Sequence, residues 1–140
     1  MEIILMPILE WNEKYSVNIA QIDRQHQKLI GYVNELNDAM RSGKGRLVLE
    51  SVLNALIRYT QTHFATEEQL LETHCFPDYL NHRHEHQTMT QKVSALQEQY
   101  NTGNIATTIE TMNFLREWLD RHILGTDKKY SDFLNSKGVK

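Results

Sequence analysis

The chain has 140 residues, enough for one domain that buries roughly two thirds of its unfolded surface without staples. Its 40% hydrophobic and 24% charged residues, with only 2 Pro and 6 Gly, exclude a disordered or fibrous chain and suit a helical globule. A net charge of -3 without any Lys/Arg cluster offers nucleic acid and anionic lipid no attractive surface, and the single Cys75 excludes an internal disulfide and suits a reducing compartment.

The first segment, Ile3-Ile4-Leu5-Met6-Pro7-Ile8-Leu9, lacks a basic leader and a small-residue cleavage site and is too short to span a bilayer. It is expected to form, within residues 1–18, an extended arm on a soluble, cytoplasmic domain. From Ile19 the positions Ile19, Ile22, His26, Leu29, Val33, Leu36 and Met40 alternate steps of three and four, which predicts a helix over about 19–41, roughly 33 Å long. Gly43 and Gly45 break the pattern, and a second seam runs Leu49, Val52, Leu56, Tyr59, His63, Glu67, Leu70, giving a helix over about 46–74. Cys75-Phe76-Pro77-Asp78 punctuates, since Pro opens a helix well and continues one badly. The third seam, Tyr79, His82, His86, Met89, Val93, Leu96, Tyr100, predicts a helix over about 78–101. After the turn cluster Asn101-Thr102-Gly103-Asn104, the fourth runs Ile105, Thr108, Met112, Leu115, Leu119, His122, giving about 104–125 before a C-terminal segment 126–140. Four helices of similar length with short links predict one all-α domain over 1–140, an antiparallel up-down-up-down four-helix bundle with an N-terminal arm.

Polar residues interrupt these apolar seams at His26, His63 with Glu67, His82 with His86, and His122 followed by Asp127. A buried imidazole or carboxylate is costly unless paired or metal-bound. Residues four apart lie only ~40° apart around a helix, so each i, i+4 pair aims two donors the same way. His122 and Asp127, five apart, would diverge by ~140° on a regular helix. For both to reach one centre the last helix must be distorted, and Gly125 between them would permit a single wide turn. A lone His on an apolar face is usually a core residue with one hydrogen bond, but that account would have to hold at every one of these positions in a single core. His74 and His84 lie outside the seams and are expected in solvent. His82-Arg83-His84-Glu85-His86 also matches the H-x-x-E-H zinc peptidase pattern, but a zinc with three protein ligands would leave the other buried donors idle, and Glu85 falls ~100° from His86.

Five imidazoles and two carboxylates exceed the capacity of one octahedral ion, so two ions are expected, with Glu67 and Asp127 as natural bridges. Donors without thiolate suit iron, and the donor types alone also admit manganese or zinc.

Trp11-Asn12-x-x-Tyr15-x-Val17, Ile22-Asp23-x-Gln25-His26, His63-Phe64-x-x-Glu67-Glu68, Pro77 with His82-x-x-x-His86, and Trp118-Leu119-x-x-His122-Ile123-x-x-x-Asp127-x-x-Tyr130 together resemble the hemerythrins, closely their bacterial single-domain form. The match runs from Trp11 to Tyr130 in order. The resemblance implies two oxo- or hydroxo-bridged Fe ions per chain, with His82, His86 and His122 on one iron, His26 and His63 on the other, and Glu67 and Asp127 bridging. With that shared oxygen, the ligands fill all but one position of two octahedral ions, and the vacancy lies on the iron with two histidines, where the family binds O2 reversibly. Leu119 matches a family position packed over the open iron; Phe64 and Trp118 serve packing beside it. Met89 is a departure, because many members carry Phe there, and a flexible thioether alters the pocket's shape.

The expected function is therefore O2 carriage or storage by a protein that is not an enzyme in its main role. A redox enzyme of peroxidase, nitric oxide reductase or iron oxidase type, and an O2 or iron sensor acting through a partner, use similar centres. Di-iron oxidases favour four carboxylates and two Glu-x-x-His repeats, a pair not found here, and the chain ends ten residues after Tyr130 without an attached domain. O2 is the expected partner, with no nucleic acid or membrane, a monomeric or weakly oligomeric chain, and an unidentified protein recipient of the O2.

Overall fold

The computed structural model describes residues 9–43, 46–102 and 109–140. Most of the expected arm, the Gly45 link, and Ile105 and Thr108 of the fourth seam lie outside these residues.

The chain enters through a short 3-10 turn, Glu13–Tyr15, whose start is capped by the Asn12 side chain accepting from the Lys14 amide. Asn18 adopts a left-handed φ of 57°, and Asp23 reaches back to accept from the Val17 amide at 2.9 Å and the Ser16 hydroxyl at 2.6 Å. This carboxylate pins the incoming strand of chain to the first turn of α1 (Ala20–Arg41), where negative charge is also favoured by the helix dipole. α1 stops at Gly43, whose φ of 66° places it in the left-handed region that ends many helices.

α2 (Arg46–Thr73) ends in a tight reversal. The Phe76 amide bonds the Leu71 carbonyl at 2.9 Å and the Cys75 amide bonds that of Glu72 at 3.2 Å, which is the Schellman pattern. Cys75 occupies its left-handed position, φ 56°, where glycine is usual. α3 (Tyr79–Asn101) follows Pro77. α4 (Ile109–Asp120) continues into a wide π turn, Arg121–Thr126, a 3-10 turn, Asp127–Tyr130, and a short final helix, α5 (Ser131–Ser136). The expected wide turn is thus present. Gly125 lies within it, but no left-handed φ is found there and a Cβ would meet nothing within 4 Å, so the turn does not depend on glycine. The C-terminal segment 126–140, to which no element was assigned from sequence, carries α5, anchored by the Ser131 hydroxyl donating to the Val17 carbonyl at 2.6 Å.

α2 packs against α1 and α3, and α4 against α1. All elements of the described residues are helical. Two apolar clusters form the interior. The larger holds Leu29, Val33, Leu56, Val93, Leu115, Leu119 and Ile123; the smaller holds Val17, Ile19, Ile22, Leu71, Tyr130 and Leu134. The interrupting polar residues fall between them along the chain: His26 lies between Ile22 and Leu29 on α1, and Glu67 between Phe64 and Leu71 on α2. No helix among the described residues is long and apolar enough to cross a membrane.

Candidate metal centre

α1 contributes His26, α2 His63 and Glu67, α3 His82 and His86, and the π turn His122 followed by Asp127. In an antiparallel bundle the N-terminal parts of α1 and α3 stand beside the C-terminal parts of α2 and the fourth helix, and the seven side chains lie at those ends. None of the seven is more than 2% exposed. The π turn closes one turn over five residues instead of four, which brings Asp127 back beneath His122: Asp127 Oδ2 lies 2.7 Å from His122 Nε2.

The donors form two overlapping groups. His26, His63, Glu67, His122 and Asp127 each offer a ligand atom within 4.8 Å of all the others, and so do Glu67, His82, His86 and Asp127. Glu67 and Asp127 belong to both, as two bridging carboxylates would. Asp127 Oδ2 also meets His26 Nε2 at 2.7 Å, and its Oδ1 stands 3.2 Å from His82 Nε2. His122 Nε2 is 2.9 Å from His63 Nε2 and 3.1 Å from Glu67 Oε1, so by distance it stands with the first group, whereas the resemblance allots it to the iron of His82 and His86.

The atoms are crowded yet poorly bonded to one another. Glu67 Oε1, close as it lies to His63 Nε2, makes no aligned hydrogen bond, and neither do Asp127 Oδ1, His82 Nε2 or either nitrogen of His86. Each buried polar atom left so costs about 1–3 kcal/mol. Ligand atoms held ~2.1 Å from a shared cation stand about 3 to 4 Å apart, as His82 Nε2 and Asp127 Oδ1 do at 3.2 Å and His122 Nε2 and Glu67 Oε1 at 3.1 Å, and carboxylate and imidazole lone pairs directed at one point suit a cation between them. The residues fit a metal pair.

Electrostatics point the same way. Burial pushes the Glu67 and Asp127 carboxyls up, but the imidazoles of His63 and His122 beside Glu67, and those of His122 and His26 beside Asp127, outweigh it and hold both below the usual carboxylate range. Burial pulls the imidazoles down and leaves His86 at about 3, but the two carboxylates override it at His82, raised to about 9, and at His122, raised to about 10. The pocket is built to hold positive charge.

Around the ligands, Phe64 stacks on the His86 ring with centroids 3.9 Å apart and planes 3° from parallel. Trp118 lies near-parallel to His122 at 6.3 Å. Leu119 is fully buried one turn before His122. Met89 is half-buried and, with Trp118, Phe114 and Thr126, lines a cavity of about 280 Å³. Two contacts had no role assigned from sequence: Gln25 Oε1 lies 2.7 Å from His63 Nδ1, and the Tyr130 hydroxyl donates to Glu67 Oε2 at 2.8 Å. Both residues flank ligands in the sequence, which was the available signal. His84 is exposed, as expected, whereas His74 is half-buried. Glu85 meets Lys129 Nζ at 3.4 Å and takes no part in the donor groups, which leaves the zinc peptidase pattern without its base.

Residues 17–134 match the family described as the hemerythrin HHE cation binding domain. The chain is 32% identical over 128 residues to a bacteriohemerythrin of Stenotrophomonas maltophilia, covering 91% of this chain and 82% of that relative. It is 30% identical over 132 residues to a bacteriohemerythrin of Methylococcus capsulatus, covering 94% and 100% respectively. A solved wild-type hemerythrin superposes with a TM-score of 0.85 at 30% identity, covering 91% of this chain and 98% of the other.

Proposed function

The chain belongs to the hemerythrin family, and we propose that it binds O2 reversibly, for carriage or storage in the cytoplasm, at a di-iron centre held by His26, His63, Glu67, His82, His86, His122 and Asp127. The observation that carries this reading is the pair of overlapping donor groups that share Glu67 and Asp127. When bound, two irons with one open position supply a reversible two-electron site for O2.

The chain's own residues determine what that site admits. The imidazoles of His82, His86 and His122 would hold one ion and those of His26 and His63 the other, in the allotment the resemblance implies, with the two carboxylates shared between them. Tyr130 holds Glu67 by one oxygen, which restrains the carboxylate and leaves Oε1 for a metal. Phe64, Leu119 and Trp118, each at most 5% exposed, wall the centre with apolar surface that excludes water and the protons that promote loss of superoxide or peroxide.

Iron content, with an absorption spectrum followed while the reduced protein is cycled between O2 and vacuum, tests the proposal. About two irons per chain and charge-transfer bands that appear and vanish reversibly support it; one zinc and no colour would overturn it. The cavity beside Met89 and Trp118 favours, as second reading, a redox enzyme acting on a small molecule, and steady turnover with bound iron unchanged would select that reading.

A further inference from the structure

The Nδ1 atoms of His26, His86 and His122 are buried with no hydrogen-bond partner among the described residues. His63 differs: its Nδ1 stands 2.7 Å from Gln25 Oε1, a contact between α2 and α1. What lies on the far side of that amide fixes its orientation. Thr66 Oγ1 donates its one hydrogen to the Thr62 carbonyl at 3.0 Å, so it offers only lone pairs to Gln25 Nε2, 3.5 Å away. The amide therefore turns its NH2 toward Thr66 and its carbonyl toward His63. A carbonyl only accepts, so His63 Nδ1 carries a hydrogen, and Nε2, which faces Glu67 and His122, is the nitrogen turned toward a metal.

We infer that Gln25 is the positioning residue of His63. It sets the Nδ1 hydrogen and the ring plane, and because an amide is neutral it leaves that hydrogen on His63, which would meet a metal as imidazole rather than imidazolate. A carboxylate in its place would draw the Nδ1 hydrogen away and make His63 a stronger donor to iron. The inference rests on the proposed reading of His63 as a ligand.

The experiment uses the iron-loaded full chain with Gln25→Leu, of similar volume, and Gln25→Glu. Gln25→Leu is expected to lose iron to a chelator about ten- to a hundred-fold faster than the parent protein. Gln25→Glu is expected to restore retention and to lower the midpoint potential of the iron pair, which a packing role would not move. Should Gln25→Leu fail to fold, the potential of Gln25→Glu decides alone, and an unchanged value overturns the inference. Wild-type iron retention in Gln25→Leu overturns it as well. His63→Ala separates the two claims: if that variant keeps the full iron content, the ligand reading falls and the inference with it. If His63→Ala loses iron while both Gln25 variants keep the wild-type retention and potential, the inference alone is wrong.

Discussion

His82 and His122 hold protons that a bound metal would displace, and this division of charge among the seven clustered side chains gives the metal-free protein a pH signature. Burial lowers both, but the nearby carboxylates of Asp127 and Glu67 raise His82 to about 9 and His122 to about 10; His63 is raised as well. Above the unfolded histidine value of about 6.5 the folded protein binds the extra protons, so its stability falls as pH rises toward those raised values. Burial lowers His26, and lowers His86 to about 3, so below about 6.5 the unfolded chain takes up the extra protons and stability falls as pH drops. The depressed carboxyls of Glu67 and Asp127 steepen that loss in the acid range. Thermal unfolding of metal-free protein is therefore expected to show its maximum near pH ~6.5; a midpoint still rising at pH ~9 would mean that His82 and His122 are not held protonated. Leu119 is the residue whose predicted effect is on the oxygenated form. Leu119→Ala removes a fully buried side chain, so a loss of about 2–5 kcal/mol of stability is expected together with faster autoxidation. An unchanged decay rate in air would show that Leu119 packs the core without guarding the pocket.

The π turn is the element on which the centre depends. A regular α-helix through Arg121–Thr126 would swing Asp127 ~140° away from His122. Inserting an alanine after Leu124 sets His122 and Asp127 six apart, ~120° from one another on a regular helix, so the variant is expected to lose both irons while α1 to α3 remain helical, as iron analysis and circular dichroism would show. Gly125→Ala is the contrasting change. A Cβ there meets nothing and no left-handed φ opposes it, so the variant should load iron normally and gain about 0.4–1 kcal/mol from a less flexible unfolded chain. Impaired loading would show that the turn needs glycine after all. The need for this turn was legible in the sequence, because His122 and Asp127 conflict with a regular helix that otherwise fits the apolar seam. The seams themselves gave α1, α2 and α3 to within a residue at each end, since core burial imposes the helical period on them. α5 was not legible: six residues, Ser131–Ser136, span fewer than two turns and show no period of their own. The role of Gln25 was hidden for a related reason. It sits ~100° from His26 on α1, off the core-facing row, and its contact with His63 depends on how α2 is rotated, which no single-helix pattern specifies.

At the scale of the whole molecule, the centre stands where apolar packing changes hands. The larger cluster carries Leu29, Leu56, Val93 and Leu115, and the smaller carries Ile22, Leu71 and Tyr130; between them the chain inserts polar ligands whose own contacts leave several atoms unbonded. Metal-free, this level of the bundle is held by imidazolium and carboxylate pairs, whose mutual attraction offsets only part of their desolvation. A metal pair instead links α1, α2, α3 and the π turn at a single level, so loading should stabilise the bundle as a unit. At a free metal concentration of about a thousand times Kd the gain is ~4 kcal/mol, which corresponds to a rise in Tm of roughly 10 °C. The size of that rise should itself depend on pH, because binding must expel the protons held by His82 and His122. Raising the pH from ~6 to ~8.5 removes much of this competition while it weakens the metal-free bundle. The gap in Tm between loaded and metal-free protein is therefore expected to widen over that interval, measured by calorimetry on matched samples. A gap that narrows would mean that metal entry does not displace protons from these two imidazoles, and that their place among the ligands is wrong.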